Sequence, residues 1–533
     1  MARSHTRLAR LAVLAAGLAV LAAGLVAPAE RVAATPGSPN PASPTPGSPN
    51  ATSPALIGPS LPSEAPVRAA AVTDPALAKK LKALMKDSRV TKGKTSVAVF
   101  DAKTGSELYQ RRGSSATIPA SNTKLLTAAS AMHTLGADYR FKTEVIRRAK
   151  VTGSTLDGRL YLKGYGDPTA RQSDYAALAK KVRAAGIKTV TGKLVVDATY
   201  FDSVRYNPAW RTSYADAYYA APISALTLAP NEDYDSGTVI IKYRAGKVGK
   251  KAKITTTPAA AKAYLSIKNL TTTGAKGSSW TVGVGRSHGS GTITVRGRVP
   301  SGGSGSALIS VNRPDLYAAA IFRAELKKAG VTVKGGTTVL ATPAGKRTVL
   351  ATDRSMKLSE LLVPFMKLSN NMHAEALTKA MGAKRSGAPG TWSNGLAATR
   401  AYLTSQGVPM SGVSLSDGSG LTRDNTLTAR ALGELLVAVQ DEPWFADFKA
   451  SLPVAGNTKR MVGGTLRYRM NGTRAEDNAA AKTGSLTGVT SLSGYVKGRD
   501  GHLYVFSMLS NYTGSSPRPI EDKLVVTLAD WRR

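Results

Sequence analysis

Pro119-Ala-Ser-Asn-Thr-Lys124 opens a segment that reads as a helix from Ser121 to Leu135, closed by Gly136. Ser121 and Lys124 stand three residues apart, which places them on one face of such a helix. The hydroxyl then lies at the positive end of the helix, where the amide dipoles disfavour an ammonium and favour a developing oxyanion. A lysine made less basic in this way can accept the serine proton. Serine at a helix start is more commonly a simple cap, so the pair has to be read with the rest of the chain.

Histidine offers no competing base. Of His5, His133, His288, His373 and His502, the first falls in a basic N-terminal leader and His288 in a Gly/Ser-rich loop. The other three read as structural or surface residues, and no G-x-S-x-G elbow accompanies any of them. The chain has no cysteine, which excludes thiol catalysis, disulfides, thiolate metal sites and lipid attachment at a processed Cys. No metal and no cofactor is implied. Further along, Ser369-Asn370-Asn371 lies between two predicted helices, where it can face a cleft. Lys482-Thr483-Gly484-Ser485 immediately precedes a Gly-rich turn and a strand. Each motif alone is commonplace. S-x-x-K, S-x-N and K-T-G in that order are specific to serine β-lactamases and penicillin-binding proteins.

Gly166-Asp-Pro-Thr169, Ala221-Pro-Ile-Ser-Ala-Leu226, Ser416-Asp-Gly-Ser-Gly-Leu421 and Arg423-Asp-Asn425 extend the pattern. With them, the chain from about Asp74 to its C-terminus resembles the class C low-molecular-mass penicillin-binding proteins, D-Ala-D-Ala carboxypeptidases and endopeptidases. The 248-residue interval between Ser121 and Ser369 agrees: compact β-lactamases have far less chain there, whereas this family inserts two domains. The resemblance implies that Ser121 attacks the penultimate D-Ala carbonyl and that Lys124 takes its proton. Asn371 would orient Lys124 and bind the substrate amide, and Ser369, assisted by Lys482, would relay a proton to the leaving D-Ala. Thr483 and Ser485 would hold the terminal carboxylate beside the charge of Lys482. The oxyanion hole would be the N–H groups of Ser121 and Ser485, and Gly484 would let substrate approach the strand. Many relatives outside the family have Asp or another residue where this chain has Asn370, whose side chain is not the catalytic one.

The implied fold is α+β, a penicillin-binding/serine β-lactamase-like transpeptidase fold with an antiparallel sheet flanked by helices and two β-rich inserts. The residues agree. Strand-like runs at Ser96–Phe100 and Glu107–Tyr109 precede the Ser121 helix, and helices from Ser359 onward lead to two strands and a last helix. Pro364 should kink or shorten the first of those helices. Between about 141 and 350 the texture is short β-rich runs, with two similar helix–turn–strand units, Tyr175–Val196 and Leu316–Leu340. The expected organisation is an export signal at 1–34, a Pro/Ser-rich linker at 35–73, and a catalytic domain from 74–140 and 351–533. Insert II spans 141–244 and 313–350, and insert III spans 245–312. Arg3, Arg7 and Arg10 before the apolar run Leu11–Val26 carry the export reading, and the repeats TPGSPNPASP at Thr35 and TPGSPNATSP at Thr45 carry the linker.

The 533 residues carry a formal charge of +38, nearly all of it beyond residue 74. Basic residues are spread along the chain and aromatics are 6%, which argues against a nucleic-acid binder. Peptidoglycan peptides and β-lactams are the expected ligands, with anionic cell-wall polymers or a membrane surface as charge partners. In the insert, the loop Trp210–Tyr219 offers aromatic faces, and Asp216 can meet a free amine on the substrate stem; equally, these aromatics can pack a domain interface. The rival enzyme, a secreted β-lactamase, lacks support because no E-x-x-L-N loop lies between Ser369 and Lys482. A non-catalytic wall-binding protein of this fold would not be expected to keep all three motifs.

Overall fold

Lys94–Asp101 forms a strand whose side chains alternate between two cores. Val97 and Val99 point to one side, with Leu77, Leu81, Leu524 and Leu528, while Ala98 and Phe100 point to the other, with Leu125, Leu362 and Leu436. A strand buried on both faces in this way must be covered by helices on both. The computed structural model of the protein describes residues 74–533, so the expected export signal and linker lie outside the described residues. Helices Pro75–Leu84 and Arg518–Ala529 cover one face; Thr123–Leu135, Leu358–Lys367, Asn371–Ser386, Trp392–Ser405 and Ala429–Ala438 build the other.

The sheet is antiparallel, in the order Ala480–Leu486, Val489–Lys497, Leu503–Asn511, Lys94–Asp101 and Glu107–Arg111. Among the described residues the first strand thus pairs with the last, Lys94 opposite Asn511. This order puts the strand bearing Lys482 at the sheet edge. Lys482-Thr483-Gly484-Ser485 precedes the turn and the strand Val489–Lys497 as expected, but it also lies within a strand of its own. Pro364 does not end its helix, which runs on to Lys367. Only the bond to the Glu360 carbonyl is lost, and burial of Leu361, Leu362, Phe365 and Met366 in one core holds the turn together.

In the inserted region, the helix–turn–strand units pair with each other. Thr332–Val333 runs parallel to Thr189–Val190, and Thr337–Val339 runs parallel to Leu194–Asp197. Two further three-stranded sheets follow, Lys253–Thr257/Thr238–Arg244/Ser304–Ser310 and Ser266–Gly274/Thr292–Pro300/Gly283–Gly285. Thr238–Arg244 pairs with Ser304–Ser310, so this small β unit begins ahead of residue 245. Among the described residues no helix is long and apolar enough to cross a membrane.

Candidate active site

Ser121 sits in a single 3-10 turn, Ala120–Asn122, which leads into the helix Thr123–Leu135. Three contacts hold that turn against the edge strand. The buried Asn122 donates through Nδ2 to the Lys482 carbonyl at 3.0 Å and to Ser491 Oγ at 2.8 Å. Ser491 Oγ in turn donates to the Pro119 carbonyl at 2.7 Å. Gly484 leaves the space this requires, since a Cβ there would lie 2.8 Å from Pro119 O, 3.0 Å from Ser121 N and 2.2 Å from Ser491 Oγ. On the other side a Cβ on Gly420 would strike the Ala120 carbonyl, and Ala120 itself is held at φ 47°.

Two buried lysines meet at this turn. Lys124 Nζ is 3.0 Å from Ser121 Oγ, 2.6 Å from Asn371 Oδ1 and 2.7 Å from the Ser419 carbonyl. Burial lowers Lys124 to about 7, against the upward pull of Asp417 and Glu375. Lys482 Nζ donates to Ser369 Oγ at 2.8 Å and to the Thr483 carbonyl at 2.8 Å. Burial, then the charge of Lys124, pushes it well below the ordinary lysine range. Ser369 adopts φ 58°, and Asn370 caps the following helix by accepting from Met372 N at 2.9 Å and His373 N at 3.3 Å. Asn370 is therefore a structural cap. Thr483 Oγ1 donates to Thr465 Oγ1 at 2.7 Å, and Ser485 Oγ accepts from Arg518 at 3.0 Å. Among the described residues no histidine side chain hydrogen-bonds this cluster; the His373 ring faces the Tyr234 carbonyl at 3.0 Å and burial lowers it to about 4.

A serine, a lysine of reduced basicity, a second serine–lysine pair and an amide thus converge from three separate parts of the chain. The model of the D-Ala-D-Ala carboxypeptidase 3 (S13) family matches residues 77–531. The chain belongs to this family. It is 41% identical over 476 residues, 88% of this chain and 87% of the relative, to a D-alanyl-D-alanine carboxypeptidase of Actinomadura sp. (strain R39). The D-alanyl-D-alanine carboxypeptidase DacB of Haemophilus influenzae is 27% identical over 425 residues, 77% of this chain and 83% of the relative. The fold is that of the solved penicillin binding protein 4 of Haemophilus influenzae, with a TM-score of 0.73 at 23% identity, covering 84% of this chain and 98% of that one.

In this S13 carboxypeptidase a second layer lies under Lys124 that the motifs do not reveal. Glu375 accepts from Gly418 N at 3.0 Å, Ser419 N at 2.9 Å and Trp392 Nε1 at 2.7 Å. Asp417 accepts from Gly420 N at 2.7 Å, Thr422 N at 2.8 Å, Asn425 Nδ2 at 2.8 Å and Trp210 Nε1 at 2.9 Å. Both carboxyls are fully buried, and burial with the charge of Asp417 pushes Glu375 up to about 7. Together they shape the loop Ser416–Leu421, whose Ser419 carbonyl holds Lys124. The stretch Ser416-Asp-Gly-Ser-Gly-Leu421 was visible in the sequence, but Glu375 stands within a helix and carries no local signal.

The loop Trp210–Tyr219 divides. Trp210 is buried against Trp392 at 6.2 Å between ring centroids, so it packs the interface and does not face substrate. Tyr218 and Tyr219 are 46% and 38% exposed. Tyr219 joins the cluster through its carbonyl, which accepts from Asn371 Nδ2 at 2.8 Å. Asp216 is half-buried; its carbonyl accepts from Ser310 N at 3.1 Å and its charge acts on Arg286, outside the hydrogen-bonded cluster around Ser121. Gly484→Ala should force the edge strand and the Ser121 turn apart. Acylation by a fluorescent penicillin should slow about 100-fold, while chemical denaturation should show a loss of about 1–3 kcal/mol.

Proposed function

We propose that this D-alanyl-D-alanine carboxypeptidase removes the terminal D-Ala of peptidoglycan stem peptides through an ester on Ser121, and that penicillins acylate the same oxygen. The observation that carries this is Lys124: a buried amine held near 7, with Nζ 3.0 Å from Ser121 Oγ. Neutral Lys124 takes the Ser121 proton as Oγ bonds to the penultimate D-Ala carbonyl carbon. The proton returns by way of Ser369, beside Lys482, to the leaving nitrogen as the C–N bond breaks and D-Ala departs. Water then cleaves the ester and restores the Ser121 hydroxyl. Asn371 positions Lys124 and meets the substrate amide. Thr483 and Ser485, backed by Lys482, take the terminal carboxylate, and the N–H groups of Ser121 and Ser485 take the developing oxyanion. Asp216 serves the far end of the substrate, where a stem peptide carries a free side-chain amine. In this reading the folded chain works outside the cytoplasm, and its charge partner is an anionic wall polymer or a membrane surface, not nucleic acid.

Ser121→Ala should abolish covalent labelling by penicillin while thermal unfolding stays near that of the parent. Mass spectrometry of the labelled parent should place the adduct on Ser121, and labelling of the variant at full stoichiometry would sink the assignment. The pH dependence has a definite sign. Lys124 is protonated below about 7 and cannot then act as base, so acylation should slow as the pH falls through that value. Asp417 and Glu375 raise Lys124, so Glu375→Gln should move this acid limb to lower pH, by about half a unit. A limb that stays put or moves up in a stopped-flow acylation profile would remove Glu375 from control of Lys124. Asp216→Ala should lower kcat/KM about tenfold for stem peptides with a free side-chain amine, yet spare acylation by penicillin, which lacks that amine. Equal loss on both substrates, or loss on neither, would exclude Asp216 from stem selection.

A further inference from the structure

Between Asp235 and Asp315 the chain has no acidic residue, but it has thirteen lysines and arginines. Arg313 pairs with Asp315 at 2.7 Å, and Arg286 is buried among the carbonyls of Ala215, Ser287, Ser290 and Ser310. The other eleven are exposed, and none of them is in an ion pair among the described residues. Six crowd one hairpin, Thr238–Arg244 with Lys253–Thr257: Lys242, Arg244, Lys247, Lys250, Lys251 and Lys253. Its inner side is fixed by buried Ile241, Tyr243 and Ala252. At the outer end, register places Lys253, Arg244 and Ser304 in one row and Thr255, Lys242 and Ser306 in the next, all exposed. The connecting loop is braced to the neighbouring sheet, with Gly246 N donating to Thr273 Oγ1 at 2.9 Å, Gly249 N to Thr273 O at 2.9 Å and Thr273 N to Lys250 O at 2.7 Å.

Lys253 and Arg244 face each other across adjacent strands, an arrangement that costs stability. A surface that served solubility alone would intersperse both signs. We propose that this hairpin is a docking face for a linear phosphodiester polymer of the cell wall, of the poly(glycerol phosphate) kind. The inference rests on the enzyme working at the wall. Lys242 and Arg244 stand about 7 Å apart along one strand, and Arg244 and Lys253 about 5 Å apart across two, a spacing that meets a chain with one charge per repeat. Thr255, Ser304 and Ser306 add hydroxyl donors. A lipid surface fits less well, because interfacial elements bury aromatic and aliphatic side chains and the hairpin exposes only Val248 of that kind. The two rows also lack an aromatic on which a nucleic-acid base could stack.

The test is equilibrium binding of the purified enzyme to fluorescein-labelled poly(glycerol phosphate), with phosphatidylglycerol vesicles at matched phosphate as the second ligand. The parent should bind the polymer, with affinity that falls steeply between low and moderate salt. K242Q/R244Q/K253Q should bind about tenfold more weakly or worse. K79Q/K82Q/K86Q, which removes the same charge from the first helix and the residues after it, should bind as the parent does. Penicillin labelling and cleavage of a small D-Ala-D-Ala peptide should be unchanged in both variants, which reports the fold and the active site separately from docking. Undiminished binding by the hairpin variant, equal losses in both variants, or no polymer binding by the parent would overturn the proposal. Tighter binding to vesicles than to polymer would replace the polymer with a membrane. A parent that bound polymer but did not cleave the peptide would leave docking standing and overturn the proposed activity instead.

Discussion

Asn122 joins parts of the chain 360 residues apart, donating to the Lys482 carbonyl and to Ser491 Oγ from the turn that carries Ser121. The separation of the Ser121 turn from the edge strand is fixed by this pair of bonds and by the missing side chain at Gly484. The strand order makes it possible, because the Lys482 strand is at the sheet edge and presents its backbone to the turn. The strained backbone at Ala120 and Ser369 belongs to the same constraint. Left-handed φ at a residue with a Cβ costs about 1–3 kcal/mol, and the packed strand, helix and loop around each position hold it in place.

Close approach also creates the electrostatics. Burial drives Lys124 and Lys482 both towards their neutral forms, and at Lys482 the charge of Lys124 adds to it. Left alone, burial would make Lys124 a still weaker base. Glu375 and Asp417 oppose this from beneath, while their hydrogen bonds shape the loop that offers the Ser419 carbonyl. One buried layer thus sets both the direction and the basicity of the amine, and Trp210 and Trp392 tie that layer to the insert and to the helical core.

Cations therefore do two unlike jobs in one chain. At the active site they are dry, close to neutral and satisfied by named oxygens. On the insert hairpin they are exposed and unmatched by any acid in the surrounding sequence. The first arrangement favours bond making at a defined point; the second favours long-range attraction to a repeated negative charge, screened over about 10 Å at moderate salt.

Local spacing was legible without a structure. An i, i+3 Ser–Lys pair shares a helix face whatever the rest of the chain does, and the order of S-x-x-K, S-x-N and K-T-G, the α+β texture and the helix–turn–strand units all follow from short-range geometry. The edge strand was hidden because Lys482-Thr483-Gly484-Ser485 has neither apolar alternation nor β-branched density. Pro364 is carried inside a helix that runs on to Lys367, because burial outweighs one lost hydrogen bond. Trp210 and Tyr219 lie nine residues apart, yet one packs in the core and the other lends only its carbonyl to the site. Asn122 and Asp417 lie inside recognisable motifs and Ser491 and Glu375 outside them, yet none shows its role locally, since each depends on partners that only the folded topology brings within 3 Å. Sequence by itself determined which groups could do the chemistry; tertiary structure decided how dry they are and what orients them, because burial and long-range contact are properties of the whole packed chain.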